Sequence, residues 1–147
     1  MKRTIFVLVL LVVALGLSAQ TVLYRDSATL QWDAVLCDAQ GTPWLPSDVV
    51  EYEVYLYDLG GGTPDPAILT GWQYVGATAG CELAIIFSYR SEWAAGVRVK
   101  VTDAGSNTQY SILGWSGEAG DVQGGVPFRY VPLLLLSPPV GLRDAGI

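Results

Sequence analysis

The chain has 147 residues, 51% of them apolar and 15% charged, which suits one packed domain with flanking segments and excludes global disorder. Its net charge is −6 with only eight Lys plus Arg, which speaks against nucleic-acid binding and against electrostatic docking on an anionic membrane. Histidine is absent, so the commonest general base and the commonest metal ligand are both missing.

Residues 1–19 open with Lys2 and Arg3, continue apolar from Ile5 to about Leu17, and reach the small residues Ser18 and Ala19 before polar Gln20. This is the layout of a secretory signal peptide cleaved after Ala19, although Leu17 is large for the position three before the cut. The alternative is a retained anchor, for which the run is short of the roughly 20 residues a bilayer needs. The reading implies a secreted, periplasmic or envelope protein whose mature part has no transmembrane segment.

Residues 28–36 alternate apolar and polar and predict a strand with Leu30, Trp32 and Ala34 on one side. Residues 38–48 form a Pro/Gly/Asp-rich loop holding Trp44. Residues 49–58 alternate again, with Val50, Tyr52, Val54 and Leu56 opposed to Glu51, Glu53, Tyr55 and Tyr57. A glycine-rich loop, 59–71, lacks the Lys-Ser/Thr and the helix that a phosphate loop requires. Short strands are expected at 72–78 and 81–87, the latter with Leu83 and Ile85 on one side. Trp93, Ala95, Val97, Val99 and Val101 share a face over 93–103, and 109–122 has room for a last strand. With no 3.6-residue periodicity after the leader, the pattern predicts an all-β sandwich of two antiparallel sheets. Its core is expected to hold Leu30, Trp32, Tyr52, Val54, Leu83, Ile85, Val97 and Val99. The domain is placed at 20–124, with a proline-containing apolar tail at 125–147.

Four stretches together resemble the fibronectin type III family, an immunoglobulin-like sandwich. "SATLQWDAV" resembles strand B with its core tryptophan, and "VEYEVYLYD" resembles strand C. "WQYVGATAGCELAIIF" is similar to C′, a turn and E, and "WAAGVRVKVTDAGSNTQYSILGWSGEAGDV" to F, the F–G loop and G. The resemblance spans about residues 22–122. It implies that Trp32 is the central core side chain. It also implies that Cys37, at the end of B, and Cys81, at the start of E, lie close enough to bridge, an oxidation that export permits; two buried free thiols are the alternative. Two departures are visible. Trp93 or Ala95 stands where the family has a hydrogen-bonding tyrosine, and "QTVLYRD" leaves strand A short or displaced. Residues 137–146 resemble the opening of a second such domain.

No catalytic set emerges. The acids read as solvated surface charge, the serines lack a base, two cysteines without histidine make no zinc site, and the aspartates lack EF-hand spacing. Neither an enzyme nor a cofactor is expected. The aromatics are more numerous than a small core absorbs. Trp44, Tyr55, Tyr57 and Trp72 form the candidate binding surface, with Tyr74, Tyr89, Tyr110 and Trp115 as further members; cover by loops is the alternative. The expected function is a non-enzymatic module for protein binding or structure. A carbohydrate-binding module using the same aromatics is one alternative. The other is an assembly subunit joined to a further copy through the apolar stretch 131–136, which reads as a covered edge strand or an exposed patch.

Overall fold

A computed structural model describes residues 20–123 and 125–132. The leader 1–19, the leucines 133–136 and the stretch 137–146 lie outside the described residues. Nine strands and two short 3-10 turns make up the regular structure, and no α-helix occurs among the described residues. The strands are β1 (Thr21–Tyr24), β2 (Ser27–Gln31), β3 (Val49–Asp58), β4 (Trp72–Thr78), β5 (Glu82–Ile86), β6 (Trp93–Thr102), β7 (Thr108–Tyr110), β8 (Gly114–Trp115) and β9 (Phe128–Val131).

The larger sheet runs β1-β9-β6-β3-β4, with β7 and β8 also paired to β6. Its spine is the antiparallel β3–β6 pair, in register from Val49↔Thr102 to Asp58↔Trp93. The second edge of β6 is shared by three short strands: β9 at Trp93↔Tyr130, β8 at Gly96↔Trp115 and β7 at Lys100↔Tyr110. Among the described residues the second sheet consists of β2 and β5, antiparallel with Leu30↔Leu83. The expected all-β architecture of two sheets is present.

Alternation decides what goes inside. Ala28, Leu30 and Ile85 of the small sheet meet Val54, Leu56, Trp93 and Ala95 of the large one in a single buried cluster. Of the expected core residues, Leu30, Tyr52, Val54 and Ile85 are buried. Trp32, Leu83 and Val97 are half-buried against the cluster, and Val99 is half-buried too.

The central aromatic is not Trp32. That place belongs to Trp93, 2% exposed, ringed by Phe87 at 6.3 Å and Tyr89 at 4.8 Å between centroids. Trp32 sits higher on the flank, 5.5 Å from Tyr52. The reason lies in the partner strand. The Trp32 N–H donates to the Cys81 carbonyl at 3.0 Å, and beyond that rung β5 turns away at residues 79–81. With nothing to pair against, β2 stops at Gln31 instead of continuing to 36. Strand β1 is displaced as well, running parallel to β9 in the larger sheet.

Candidate functional site

The four aromatics singled out as a surface do not form one. Tyr55 and Trp72 are buried, 5% and 7% exposed, in a second cluster with Leu113, against which Tyr57 and Trp115 pack. This small core lies on the outer face of the large sheet and is roofed by two loops. The Leu113 N–H donates to the Pro66 carbonyl at 3.1 Å, and the Trp72 indole N–H donates to the Asp65 carbonyl at 3.1 Å. Trp44 is half-buried and pins its own loop, its indole N–H donating to the Val35 carbonyl at 2.8 Å. The expected surface is therefore corrected: three of its members come together, but under cover, and the fourth is a loop staple. Burying aromatic faces against one another outweighs leaving them in water.

Beside that cluster lies a charged row that the sequence reading did not find. Glu53 accepts from the Tyr55 hydroxyl at 2.7 Å and from Arg98 Nε at 2.8 Å, and Arg98 Nη2 stands 2.7 Å from the same carboxylate oxygen. The Arg98 guanidinium also lies 4.1 Å from the centroid of Tyr110 and 5.4 Å from that of Tyr55. Tyr74 and Tyr110, 59% and 50% exposed, flank this row on the outer face. The signal was cross-strand register, Glu53 opposite Arg98, which requires knowing that β3 pairs with β6.

Burial tends to raise the Glu53 pKa, but hydrogen bonds from Tyr55 and Arg98, with the charges of Arg98 and Lys100, outweigh it and leave the carboxyl below its ordinary value. Burial and the hydrogen bond to Glu53 push the Tyr55 phenol up to about 12.

The other feature is an open cleft of about 1100 Å³ on the flank where the two sheets diverge. Leu30 and Trp32 line it from the β2 side, Tyr52, Val97, Val99 and Phe128 from the large sheet, with Gln31, Asp33 and Glu82 among its polar residues. It exists because a two-stranded sheet cannot cover the inner face of the larger one. The Trp32 indole N–H is buried there without a partner among the described residues. Such an orphaned donor costs about 1–3 kcal/mol.

Leu30 and Gln31 of β2 stand at the margin of the cleft, and among the described residues no second strand pairs with the other edge of β2. Asp26 accepts from the Phe87 N–H and Trp32 donates to Cys81, so even-numbered residues of this segment turn their backbone groups to β5. By antiparallel parity, Ser27, Thr29 and Gln31 turn theirs outward, and among the described residues no hydrogen bond of those N–H and C=O groups to a second strand is found. All three are exposed.

Cys37 and Cys81 are free, half-buried thiols, so the bridge implied by the family resemblance is not formed. Because β2 ends early, Cys37 lies in the following loop, where its backbone pairs antiparallel with that of Pro43. The indole N–H of Trp93 makes no hydrogen bond among the described residues, so this position does not supply the bond of the family's tyrosine. Among the described residues no group of three or more His, Cys, Asp or Glu is placed to hold a metal, and no helix is long and apolar enough to cross a membrane. No protein-family model, curated protein or solved structure matches the chain.

Proposed function

We propose that this chain is an exported, non-catalytic module of fibronectin type III-like architecture that binds an extended protein segment at the cell envelope or outside the cell. The observation that carries this reading is the edge of β2, unpaired among the described residues, beside an apolar cleft. An added strand gains main-chain hydrogen bonds from the edge and side-chain burial from the cleft. The leader at 1–19 supports export. The order of the quoted strand motifs supports the family, and the pairing of β1 with β9 explains how β2 comes to lack its neighbour. The missing histidine supports a role without catalysis.

The test is capture of displayed extended apolar peptides, with Thr29→Pro as the edge-blocked variant. The Thr29 N–H faces away from β5, so proline there removes an edge donor and no ladder bond. Wild-type capture lost in the variant supports the reading; equal capture by both, or by neither, refutes it.

A second reading, carbohydrate binding, rests on Tyr74 and Tyr110 flanking Arg98 on the outer face. Quenching of Trp115 or Trp72 fluorescence by polysaccharides, abolished in Tyr74→Ala, tests it.

A further inference from the structure

We propose that the cleft takes a cationic segment: an extended stretch of a partner protein in which a lysine or arginine stands among apolar residues. The inference rests on the binding-module reading and names the chemistry of its partner.

Size speaks for a chain segment. The cleft, at about 1100 Å³, is larger than the roughly 300–1,000 Å³ of most small-molecule pockets. Leu23, Leu30, Val97 and Phe128 among its lining residues offer burial to apolar side chains. The buried Trp32 indole N–H has no acceptor among the described residues, and an extended chain supplies carbonyl acceptors.

Charge selects the segment. Asp33, Glu82 and Asp121 line the cleft, and among the described residues no lysine or arginine does. None of these three acids forms a salt bridge among the described residues, whereas Arg98, Lys100 and Arg129 are each paired with a glutamate elsewhere. Glu82 accepts from Gln31 Nε2 at 2.9 Å, a neutral donor that leaves its charge in place. Asp121 reaches the inner face of the large sheet. Its Oδ2 accepts from the Trp115 N–H at 3.0 Å, and its Oδ1 stands 3.6 Å from a Cβ built on Gly114. Gly114 lies opposite Val97, which packs against the main core, so that Cβ points inward.

Uncompensated carboxylates beside apolar walls set up a negative potential that the low-dielectric surroundings focus. The Trp32 ring adds attraction for a cation. A segment carrying Asp or Glu is repelled, and a neutral one gains burial alone. A Lys or Arg side chain gains both: its methylene stem packs on the walls while its head stays with the three acids, all of them exposed.

The test is binding of three extended peptides to the full chain, followed by fluorescence anisotropy. The peptides are identical except for a central Lys, Gln or Glu among apolar residues. In about 50 mM salt the lysine peptide is expected to bind about tenfold tighter than the glutamine peptide, with the glutamate peptide weakest, and the gap is expected to narrow in about 0.5 M salt. The triple variant Asp33→Asn, Glu82→Gln, Asp121→Asn is expected to bind the lysine and glutamine peptides alike and to hold the glutamine peptide as wild type does. The control Asp48→Asn, Asp65→Asn, Asp103→Asn removes the same charge from residues outside the cleft lining and is expected to keep the preference. Near-ultraviolet circular dichroism establishes that both are folded. If the first is not, Asp33→Asn and Glu82→Gln are tested singly, each expected to narrow the preference. Equal binding of the three peptides by wild type, tighter binding of the Gln or Glu peptide, or a lysine preference that survives neutralisation of the cleft overturns the proposal. Self-association of wild type that the lysine peptide does not disrupt makes a second copy the occupant and also overturns it. Peptides bound without regard to charge, yet lost in Thr29→Pro, leave the binding reading standing and end the cationic inference; if no peptide binds, both fail.

Discussion

Trp72 lies directly against Gly96: a Cβ built on Gly96 would stand 2.8 Å from Cζ3 of the indole and 3.3 Å from Leu113 Cδ2. The bare backbone of β6 is what lets an aromatic ring settle on the outer face of the large sheet. Gly96→Ala therefore overpacks the second cluster and is expected to cost about 1–3 kcal/mol, read as a lower urea midpoint. Gly61 is the control, since no heavy atom lies within 4 Å of its built Cβ, and Gly61→Ala should leave the midpoint nearly unchanged.

Ser116 stands in for a missing strand residue. Its Oγ accepts from the Ala95 N–H at 3.0 Å while its own N–H donates to the Ala95 carbonyl at 2.8 Å, and both residues are buried. Ser116→Ala leaves the Ala95 N–H buried without an acceptor, at a cost of about 1–3 kcal/mol. Hydrogen exchange should show the Ala95 amide losing protection; an unchanged exchange rate would refute the account.

The Glu53 carboxyl titrates below its ordinary value of 4.5, so the stability it provides is present above 4.5 and is lost as pH falls through the lower folded value. Glu53→Gln should lower stability at neutral pH by about 1–3 kcal/mol and flatten the loss on the acid side. The Tyr55 phenol has the opposite sense. Raised from 10.0 to about 12, it contributes stability below pH 10 that disappears as pH rises through 12. In an alkaline titration followed by tyrosinate absorbance, Tyr55→Phe should remove amplitude from the last part of the curve and none from the early part.

With both cysteines free, the denatured chain should react with two equivalents of a thiol reagent in the absence of reductant. Zero equivalents would mean that Cys37 and Cys81 bridge, and that the loop after β2 reaches further toward β5 than the structure has it.

Much of the fold was legible because period-2 alternation is a local property. The bounds of β3 and β4 fall where the alternation of 49–58 and 72–78 places them, and the inner face of β6 holds Trp93, Ala95 and Val97 as the pattern requires. The split of 109–122 into β7 and β8 was not legible, since each of those strands is defined by its rung on β6 rather than by its own sequence.

The candidate site was legible only as a set of residue types. Alternation tells Tyr55 from Val54 but does not say whether the second face of a sheet meets water or a loop. That was decided by Leu113 and Pro66 closing over Trp72, a contact between segments far apart in the chain. The chain by itself determined the strands, their faces and the shortage of catalytic groups, because those follow from each residue and its near neighbours. Only the tertiary structure decided that Trp93 and not Trp32 is central, that β2 ends at Gln31, and that β2 stands at the margin of an open cleft. Each depends on where a partner strand stops, and a strand's length and exposure belong to the pair rather than to the segment.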